Sequence, residues 1–332
     1  MNFDRVASMS NPFAPSSSKP GHGVIHLRLL PPKNPVLQTC SYQYPLKLIA
    51  PSPLTINDLI IHTVFLLTYG GGLVAGDTIT VSLRLEAHTH LVLLTQGSTK
   101  IFKCPSADVV SRQHTVVDLE AGAALCYLPD PVQPFENSCF EQKQIYTIPD
   151  GANLCVCDWV CQGRTARGEN WRFYKYTSKN EVWLSEDGGG KKRLLLRDNV
   201  LLEEGSAKKP ASFVSRTDNL GVFGTLIIRG PLFEKLGKYF MAEFGALPRI
   251  GARNWDGVVD DDTDDIETKR KWRQKQEVKD GLLWTAASIR GFVLVKFGAK
   301  EVEGVKKWLA TMLKAEGSVE RIFGEGALLC LK

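Results

Sequence analysis

Three segments of the sequence resemble one another: LEAHTHLVLL (residues 85–94), LEAGAALCYL (119–128) and IPDGANLCVC (148–157). They begin 34 and 29 residues apart, and each has a turn at Ala/Gly or Asp-Gly followed by a strand-like run. A unit of this kind cannot bury both of its faces alone, whereas stacked copies build a continuous core, as in β-solenoids. The repeats favour a β-helical, solenoid-like stack of short strands, and a β-meander with three similar hairpins is the alternative.

The same strand pattern extends over most of the chain. From residue 22 to 149, runs of five to eight residues rich in Val, Leu, Ile and Thr alternate with Gly, Pro and Asp, which is typical of strands. Similar runs continue through residues 169–202 and 220–230. Apolar residues at helical spacing predict one helix over 231–244 and a second, near the C-terminus, over 300–316. We therefore expect a mainly β fold with about two α-helices.

The composition predicts one globular domain with charged or flexible additions. The 332 residues are 43% hydrophobic and 23% charged, which suits a folded protein with a large core. Residues 1–21, rich in Ser and Pro, are predicted to form a disordered arm, and residues 22–332 a single domain. Within that domain, three consecutive glycines beside charges predict a flexible loop at 184–193. The acidic and then basic run at 254–280 predicts a solvated insertion, with a frayed helix as an option at its basic end.

Charge and cysteine usage exclude several classes of protein. The excess of five positive charges is spread along the chain, so no nucleic-acid partner is expected. No apolar run reaches the roughly 18–20 residues that cross a bilayer, and the start of the chain lacks an apolar signal core. Eight cysteines are too sparse for a disulfide scaffold. These features together predict a cytoplasmic protein without a membrane partner.

The densest glycine cluster, YGGGLVAGD (residues 69–77), does not fit a nucleotide-binding motif. A dinucleotide fingerprint requires a helix after the glycines, whereas a strand-like run follows at 78–85. The segment instead predicts a tight turn with positive φ at residues 70–72, in which Asp77 bonds to nearby backbone N–H groups.

Cysteine and histidine motifs give no clear metal site or nucleophile. Cys155, Cys157 and Cys161 lack a second ligand pair and are expected as core thiols. His88 and His90 are expected in a surface turn. The sequence also contains no Gly-x-Ser-x-Gly, His-Glu-x-x-His or Walker motif, which weakens the case for an enzyme.

The remaining chemistry-bearing side chains are scattered over strands and turns. They are Asp77, Lys100, Asp130, Asp158, Arg164 and Glu169. The stretch from 158 to 169 places two carboxylates and two guanidinium groups around a Gly turn, where ion pairs can simply stabilise the turn. Carboxylates that face inward would be costly unless they guide a cation or a proton.

Several motifs of this chain resemble those of the UreD (also called UreH) urease accessory proteins. The matching motifs are GGLVAGD (71–77), LTQGSTKIFK (94–103), LPDPVQPF (128–135), DWVCQGR (158–164) with the following GE (168–169), and EVWL (181–184). The order and spacing of these motifs fit the family from about residue 24 to 331. Their amino-acid sequences are closer to those of eukaryotic members. The motif positions singled out are Gly71, Gly72, Gly76, Lys100, Asp158, Gly163, Arg164 and Gly168.

The resemblance implies a β-helical, non-enzymatic scaffold for urease maturation. It implies a UreF-type partner, recruitment of a UreG-type GTPase, and docking of the complex on apo-urease, so that nickel reaches the active site. No tightly bound cofactor is implied, only nickel in transit. By resemblance Glu169 matches a family glutamate implicated in the nickel path, and Asp77 and Asp130 are further candidates. Isolated carboxylates suit a cation in transit better than a closed Cys/His cage.

Two hypotheses from other classes compete with this one. A β-solenoid hydrolase or lyase that acts on acidic polysaccharide would use Asp with Arg or Lys groups, but the cytosolic cysteine pattern counts against it. A nucleic-acid module would need basic residues clustered on one face with interleaved aromatics. Only residues 269–279 approach that pattern, and they adjoin an acidic run.

Overall fold

Two β-sheets dominate the part of the chain that the computed structural model describes, namely residues 19–185, 192–203, 213–247 and 263–332. One sheet has seven strands and the other has twelve. A main hydrophobic core lies between the sheets, and a second core lies between the twelve-stranded sheet and a layer of helices.

The seven-stranded sheet is parallel at its centre and antiparallel at both edges. In spatial order its strands are β16 (Lys192–Glu203), β15 (Lys175–Ser185), β13 (Cys139–Ile148), β10 (Ser111–Leu119), β7 (Thr78–Leu85), β1 (His22–Leu30) and β2 (Asn34–Tyr42). Strands β15, β13, β10, β7 and β1 all run in the same direction. Parallel neighbours require the chain to leave the sheet between strands.

Each time the chain leaves the seven-stranded sheet, it enters the twelve-stranded sheet. Its main order is β18 (Leu283–Ile289), β19 (Phe292–Ala299), β17 (Val222–Arg229), β14 (Asn153–Cys161), β11 (Ala124–Tyr127), β8 (His90–Leu94), β5 (Leu59–Thr68) and β3 (Leu46–Ile49). Four short strands complete it: β4 (Leu54–Ile56), β6 (Gly72–Leu73), β9 (Thr99–Ile101) and β12 (Val132–Pro134). Strands β5, β8, β11 and β14 are parallel.

The three sequence repeats are equivalent crossings between the two sheets. They connect β7 to β8, β10 to β11 and β13 to β14. Successive crossings are hydrogen-bonded at matching positions: the N–H of Ala124 donates to the carbonyl of Thr89 at 2.9 Å, and the N–H of Asn153 donates to the carbonyl of Ala123 at 2.9 Å. The prediction of a mainly β fold is confirmed. Because both sheets are open, the finer prediction of a solenoid-like stack is not confirmed.

Strand β14 shows how one sheet serves two cores. Leu154 and Val156 face the core between the sheets, whereas Cys155 and Cys157 face the helix layer, and all of them are buried. A strand covered on both faces is expected to be apolar throughout rather than alternating. The prediction that these cysteines are core thiols is confirmed.

The described residues contain five α-helices, so the prediction of about two is wrong. They are α1 (Phe213–Arg216), α2 (Glu234–Gly245), α3 (Thr263–Asp280), α4 (Val302–Glu316) and α5 (Ser318–Phe323). The two amphipathic helices that the apolar spacing predicts correspond to α2 and α4. Helices α1 and α5 are too short to show a period in the sequence. None of the helices in the described ranges is long and apolar enough to cross a bilayer.

Charged side chains, not an apolar stripe, hold helix α3 in place, so it is packed and not frayed at its basic end. Arg273 is buried, and its guanidinium lies 2.9 Å from the Glu243 carboxylate of α2 and 3.1 Å from Glu277. Glu277 in turn accepts a hydrogen bond from the indole of Trp308 on α4 at 3.0 Å. This helix is therefore not solvated throughout, contrary to the expectation for the insertion at 254–280.

Parts of the predicted additions lie outside the described residues. These parts are residues 1–18 of the N-terminal arm, 186–191 of the loop and 254–262 of the insertion. The strands on either side of that loop, β15 and β16, pair as an antiparallel hairpin.

Gly224 provides a test of the close packing at the centre of the twelve-stranded sheet. A Cβ atom added there would lie 2.3 Å from the Cβ of Trp159 and 2.7 Å from the carbonyl of Asp158. We expect Gly224→Ala to lower the free energy of unfolding by about 1–3 kcal/mol, because overpacking displaces the neighbouring strand. Urea unfolding of the full chain measures this loss. Gly245→Ala, where no atom lies within 4 Å of the added Cβ, is the control, and equal stabilities of the two variants would contradict the prediction.

Candidate functional site

The space between the two sheets changes from apolar to polar along the seven-stranded sheet. Inward-facing residues of adjacent parallel strands lie side by side, and two such rows cross the sheet from β7 to β15. The rows are Ile79, Gln113, Gln142 and Ser178, and next to it Val81, Thr115, Gln144 and Asn180. All eight side chains are buried. The apolar pair on β7 closes one side of a layer that is otherwise built of amides and hydroxyls.

Asp158 faces this polar layer from β14 of the opposite sheet. Its carboxylate, 7% exposed, accepts hydrogen bonds from Gln142 at 2.8 Å, Ser178 at 2.6 Å and Asn180 at 2.5 Å. All three donors are neutral. Burial raises the pKa of Asp158, and the hydrogen bonds from Ser178 and Asn180 oppose that rise.

A small internal cavity connects Asp158 to Asp130. The volume open to the centre of a water molecule is about 10 Å³, which is close to the minimum for one bound water. Gln113, 3% exposed, lines it, and the side-chain oxygen of this glutamine has no hydrogen-bond partner among the described residues. The side-chain oxygens of Thr115 and Asn180 in the same layer are also unpartnered there. Buried oxygens of this kind need a water or a cation to satisfy them.

Asp130 joins two of the sequence motifs at the other side of this cavity. The backbone N–H of Gly97 donates to Asp130 Oδ2 at 3.0 Å, and the backbone N–H of Asp130 donates to the hydroxyl of Thr95 at 2.8 Å. The ammonium group of Lys306, on α4, lies 2.7 Å from Asp130 Oδ1. Motifs 94–103 and 128–135 therefore meet at one buried carboxylate.

A third carboxylate, Asp198 on β16, continues the layer beyond Asp158. It is the ladder partner of Asn180, and its Oδ2 accepts a hydrogen bond at 2.9 Å from Thr225, the ladder partner of Asp158. The ammonium group of Lys296 on β19 lies 2.7 Å from Asp198 Oδ1. We call Asp130, Asp158 and Asp198, together with the polar side chains of the two rows, the inter-sheet polar path.

Two members of this path, Asp130 and Asp158, lie in motifs that the sequence makes visible. Asp198, the glutamines and both lysines lie outside those motifs. The sequence does contain a pattern that indicates the glutamines. In SRQHTVV (111–117) and FEQKQIY (140–146), polar residues alternate along the strand in step with apolar ones. Because every second residue of a strand lies on the same face, these polar residues face inward together with the apolar ones.

Glu169 lies apart from the cavity, in an ion pair beside a turn. Its carboxylate, 5% exposed, accepts hydrogen bonds from both Nε of Arg164, at 2.9 Å, and Nη2 of the same guanidinium. The Arg164 guanidinium also stacks on Phe135, 4.0 Å from the ring centroid. The hydrogen bonds from Arg164 hold the pKa of Glu169 below its usual value. Gly168 has φ of 73° and reverses the chain just before the carboxylate.

Asp77 lies in the glycine turn and bonds to backbone, as the sequence predicts. Its Oδ2 accepts the backbone N–H of Val74 at 2.9 Å in an exposed position. Gly71 and Gly76 have positive φ, at 73° and 84°. Gly72 is extended instead, so the prediction of positive φ there is wrong.

Only glycine fits at two of the motif positions, because another stretch of backbone lies too close for a Cβ atom. A Cβ at Gly72 would lie 2.3 Å from the carbonyl of Lys100, whose own side chain is exposed on β9. A Cβ at Gly163 would lie 2.7 Å from the carbonyl of Glu169. The motifs at 71–77 and 94–103 therefore fit together through a close backbone contact, and the motif at 158–169 folds back on itself through another.

Comparison with known proteins explains why these motifs occur together. A sequence model of the family described as "UreD urease accessory protein" matches residues 21–328. The chain belongs to the UreD urease accessory protein family. Among its relatives is urease accessory protein 4 of Cryptococcus neoformans var. grubii, 29% identical over 92% of this chain and 93% of the relative. Urease accessory protein D of Arabidopsis thaliana is 32% identical over 60% and 65%, and UreD of Sorangium cellulosum is 35% identical over 59% and 57%.

UreD membership settles two of the sequence-based predictions. The predicted resemblance to this family, including its eukaryotic members, is confirmed by fungal and plant relatives. The chain is an accessory protein of urease maturation rather than a catalyst. The alternative of a polysaccharide hydrolase or lyase receives no support from these matches.

The potential metal ligands of this UreD member are dispersed in the part of the chain that the structure describes. Among the described residues, no group of three or more His, Cys, Asp and Glu side chains is arranged to hold a metal ion. Burial raises the pKa of the Cys330 thiol to about 11 and that of Cys161 to about 12, so these thiols stay protonated near neutral pH. The oxygens of the inter-sheet polar path are donors of a different kind, spread over several strands of the two sheets.

The histidine pair at the first crossing serves structure. His88 is exposed in the turn, as expected. His90 is buried on β8 and packs against Phe323 with ring centroids 5.8 Å apart, so the expectation of a surface position is wrong for it. Burial lowers the pKa of His90, which keeps the imidazole neutral.

Replacement of Glu169 by glutamine tests the ion pair with Arg164. Because the pKa of Glu169 is lowered in the folded state, its stabilisation is complete above the ordinary pKa and disappears as the pH falls through the lowered value. We expect Glu169→Gln to lower the free energy of unfolding at pH 7 by about 1 kcal/mol, a figure reduced for the partial exposure of Arg164. Urea unfolding should show this difference shrinking below about pH 4.5.

The control for this prediction is Glu120→Gln, which removes an exposed pair with Arg84. Its effect should stay within about 0.5 kcal/mol at both pH values. A difference between wild type and Glu169→Gln that is constant from pH 7 to pH 3 would contradict the assignment.

Proposed function

We propose that this chain is the cytoplasmic scaffold that passes nickel to apo-urease, together with a UreF-type accessory protein and a UreG-type GTPase. The observation that carries the proposal is the inter-sheet polar path in a chain that belongs to the UreD family along residues 21–328. The partners and the cargo follow from the family resemblance. The eight free thiols support a reducing compartment.

The chemistry of the path supports a divalent cation in transit. A dehydrated cation needs oxygen ligands to replace its water, and it must be able to leave each of them. The path offers three successive carboxylates as ligands, those of Asp130, Asp158 and Asp198. Each has at least one neutral oxygen or nitrogen atom within hydrogen-bond distance. Carboxylate and amide oxygens are weak ligands for nickel compared with imidazole or thiolate, which favours movement over capture.

The three residues proposed from the family resemblance differ in how well they suit this route. Asp130 lines the cavity next to Asp158. Glu169 and Asp77 remain proposed transit residues outside the cavity, because one is paired with Arg164 and the other with backbone in an exposed turn. We therefore place Asp130 and Asp158 first among the residues to be tested. The stacked crossings at 85–94, 119–128 and 148–157 support the β-helical arrangement that the resemblance implies.

The size of the cavity argues against a polysaccharide-active enzyme. Asp158 shares a space of about 10 Å³, which admits a water molecule but not a sugar ring. An acid/base pair for glycoside hydrolysis must flank a sugar that reaches both carboxyl groups.

Asp158→Asn tests the route in cells that lack the native gene for this chain and carry the variant instead. The amide keeps the size of the side chain and removes its charge, so we expect several-fold less nickel per purified urease than with wild type. Nickel is measured by elemental mass spectrometry. Glu120→Gln is the control, since it changes an exposed carboxylate outside the path.

Glu169→Gln in the same cells tests the family-derived residue separately. We expect lower urease nickel with unchanged assembly, measured as co-purification of the UreF-type protein with the tagged chain. Normal nickel content with this variant would reject a role for Glu169. Normal urease activation in cells without any copy of the chain would reject the proposed function as a whole.

A further inference from the structure

Two lysines reach the inter-sheet polar path from outside, one at each end. Lys306, 22% exposed on α4, holds Asp130, and Lys296, 51% exposed on β19, holds Asp198. The two carboxylates themselves are much less exposed than the ammonium groups that contact them. In both pairs the lysine stem runs inward from the surface to a carboxylate at the end of the path.

The carboxylate between these two has no such partner. Asp158 is bonded to the neutral side chains of Gln142, Ser178 and Asn180. The path thus has a positive charge at each end and none at its centre. A purely structural need to neutralise buried acids would apply to Asp158 as much as to Asp130, because the two residues are equally buried.

The kind of cation at each end also matters. An arginine grips a carboxylate with two parallel hydrogen bonds, as Arg164 does with Glu169. A lysine ammonium is a single point charge on a flexible stem and is well hydrated when it withdraws. Each of these lysines makes one contact of 2.7 Å with its carboxylate, and Lys296 adds a hydrogen bond of 3.0 Å to Thr225. Lysine is the basic side chain that can leave most readily.

We propose that the ammonium groups of Lys306 and Lys296 are resident counter-ions that close the two ends of the path, and that a divalent cation enters only by displacing them. The unpartnered oxygen of Gln113 inside the cavity marks where an entering cation or its water finds a ligand. The inference rests on the proposed function for the identity of the cargo. Beyond that function, the inference assigns a role to the two lysines: their ammonium groups keep the path closed to cations when no cargo is delivered.

Nickel binding to the purified full chain tests the device directly. Calorimetry with nickel chloride should show that Lys306→Met and Lys296→Met each bind Ni²⁺ about tenfold more tightly than wild type, because a like charge has been removed beside a carboxylate. Lys307→Met is the matched control: Lys307 is the next residue on α4, and its ammonium lies over the Trp272 ring rather than at a carboxylate. It should bind as wild type does.

Equal or weaker nickel affinity in both methionine variants would overturn the proposal. If a methionine variant does not fold, Lys306→Gln and Lys296→Gln replace it, and the same affinity comparison applies to them. An increase in nickel affinity that Lys307→Met shares would also overturn it, since the effect would then reflect net charge alone.

Lys306→Arg gives the opposite change in cells. The charge stays, but a guanidinium can bind Asp130 through two hydrogen bonds and is harder to displace. Urease nickel should fall several-fold, whereas a merely structural ion pair would be preserved and nickel would stay normal. The wild-type chain in the same cells separates the two ideas. Failure of wild type to restore urease nickel rejects the proposed function, and restoration by wild type and Lys306→Arg alike rejects the counter-ion role.

Discussion

Burial of polar groups between two β-sheets is the constraint on which the rest of this structure depends. A carboxylate or an amide removed from water must find partners inside the protein, and each unmet hydrogen bond there costs about 1–3 kcal/mol. The parallel strands β10, β13 and β15 meet this constraint by placing amides and hydroxyls side by side, in two adjacent rows. Asp158 is placed against the amides and hydroxyls of β13 and β15, and it is satisfied by three of them.

The polar layer depends on an apolar neighbour for its stability. On β7 the same two rows begin with Ile79 and Val81, and the core between the sheets extends from there through the leucines of β1 and β8. Burial of apolar surface stabilises the folded state by roughly 25 cal/mol per Å². The apolar part of the core therefore helps to offset the cost of burying the polar side chains. Apolar side chains also flank the polar rows on the same strands, because the next inward-facing row, Val117, Tyr146 and Val182, belongs to the core between the sheets.

The helix layer connects the surface of the molecule to the path. Helix α4 buries one face against the twelve-stranded sheet and extends Lys306 to Asp130. The same helix is tied to α3 by Trp308, Glu277 and the buried Arg273, whose Nη1 also lies 2.6 Å from the sulfur of Met312. The position of α4 is the link between the outer surface and the interior carboxylates.

The sequence by itself determined the class of fold, the equivalence of the three crossings, the two amphipathic helices and, through its motifs, the family. Each of these depends on local periodicity or on the order of short motifs, which the chain carries in one dimension. Only the tertiary structure decided that Asp130, Asp158 and Asp198 form one series, while Glu169 and Asp77 lie elsewhere. The physical reason is that these contacts depend on the register of parallel strands in two sheets and on lysines from distant elements. A residue's neighbours across a parallel sheet are about 30 or more positions away in this chain, and nothing in its local sequence identifies them.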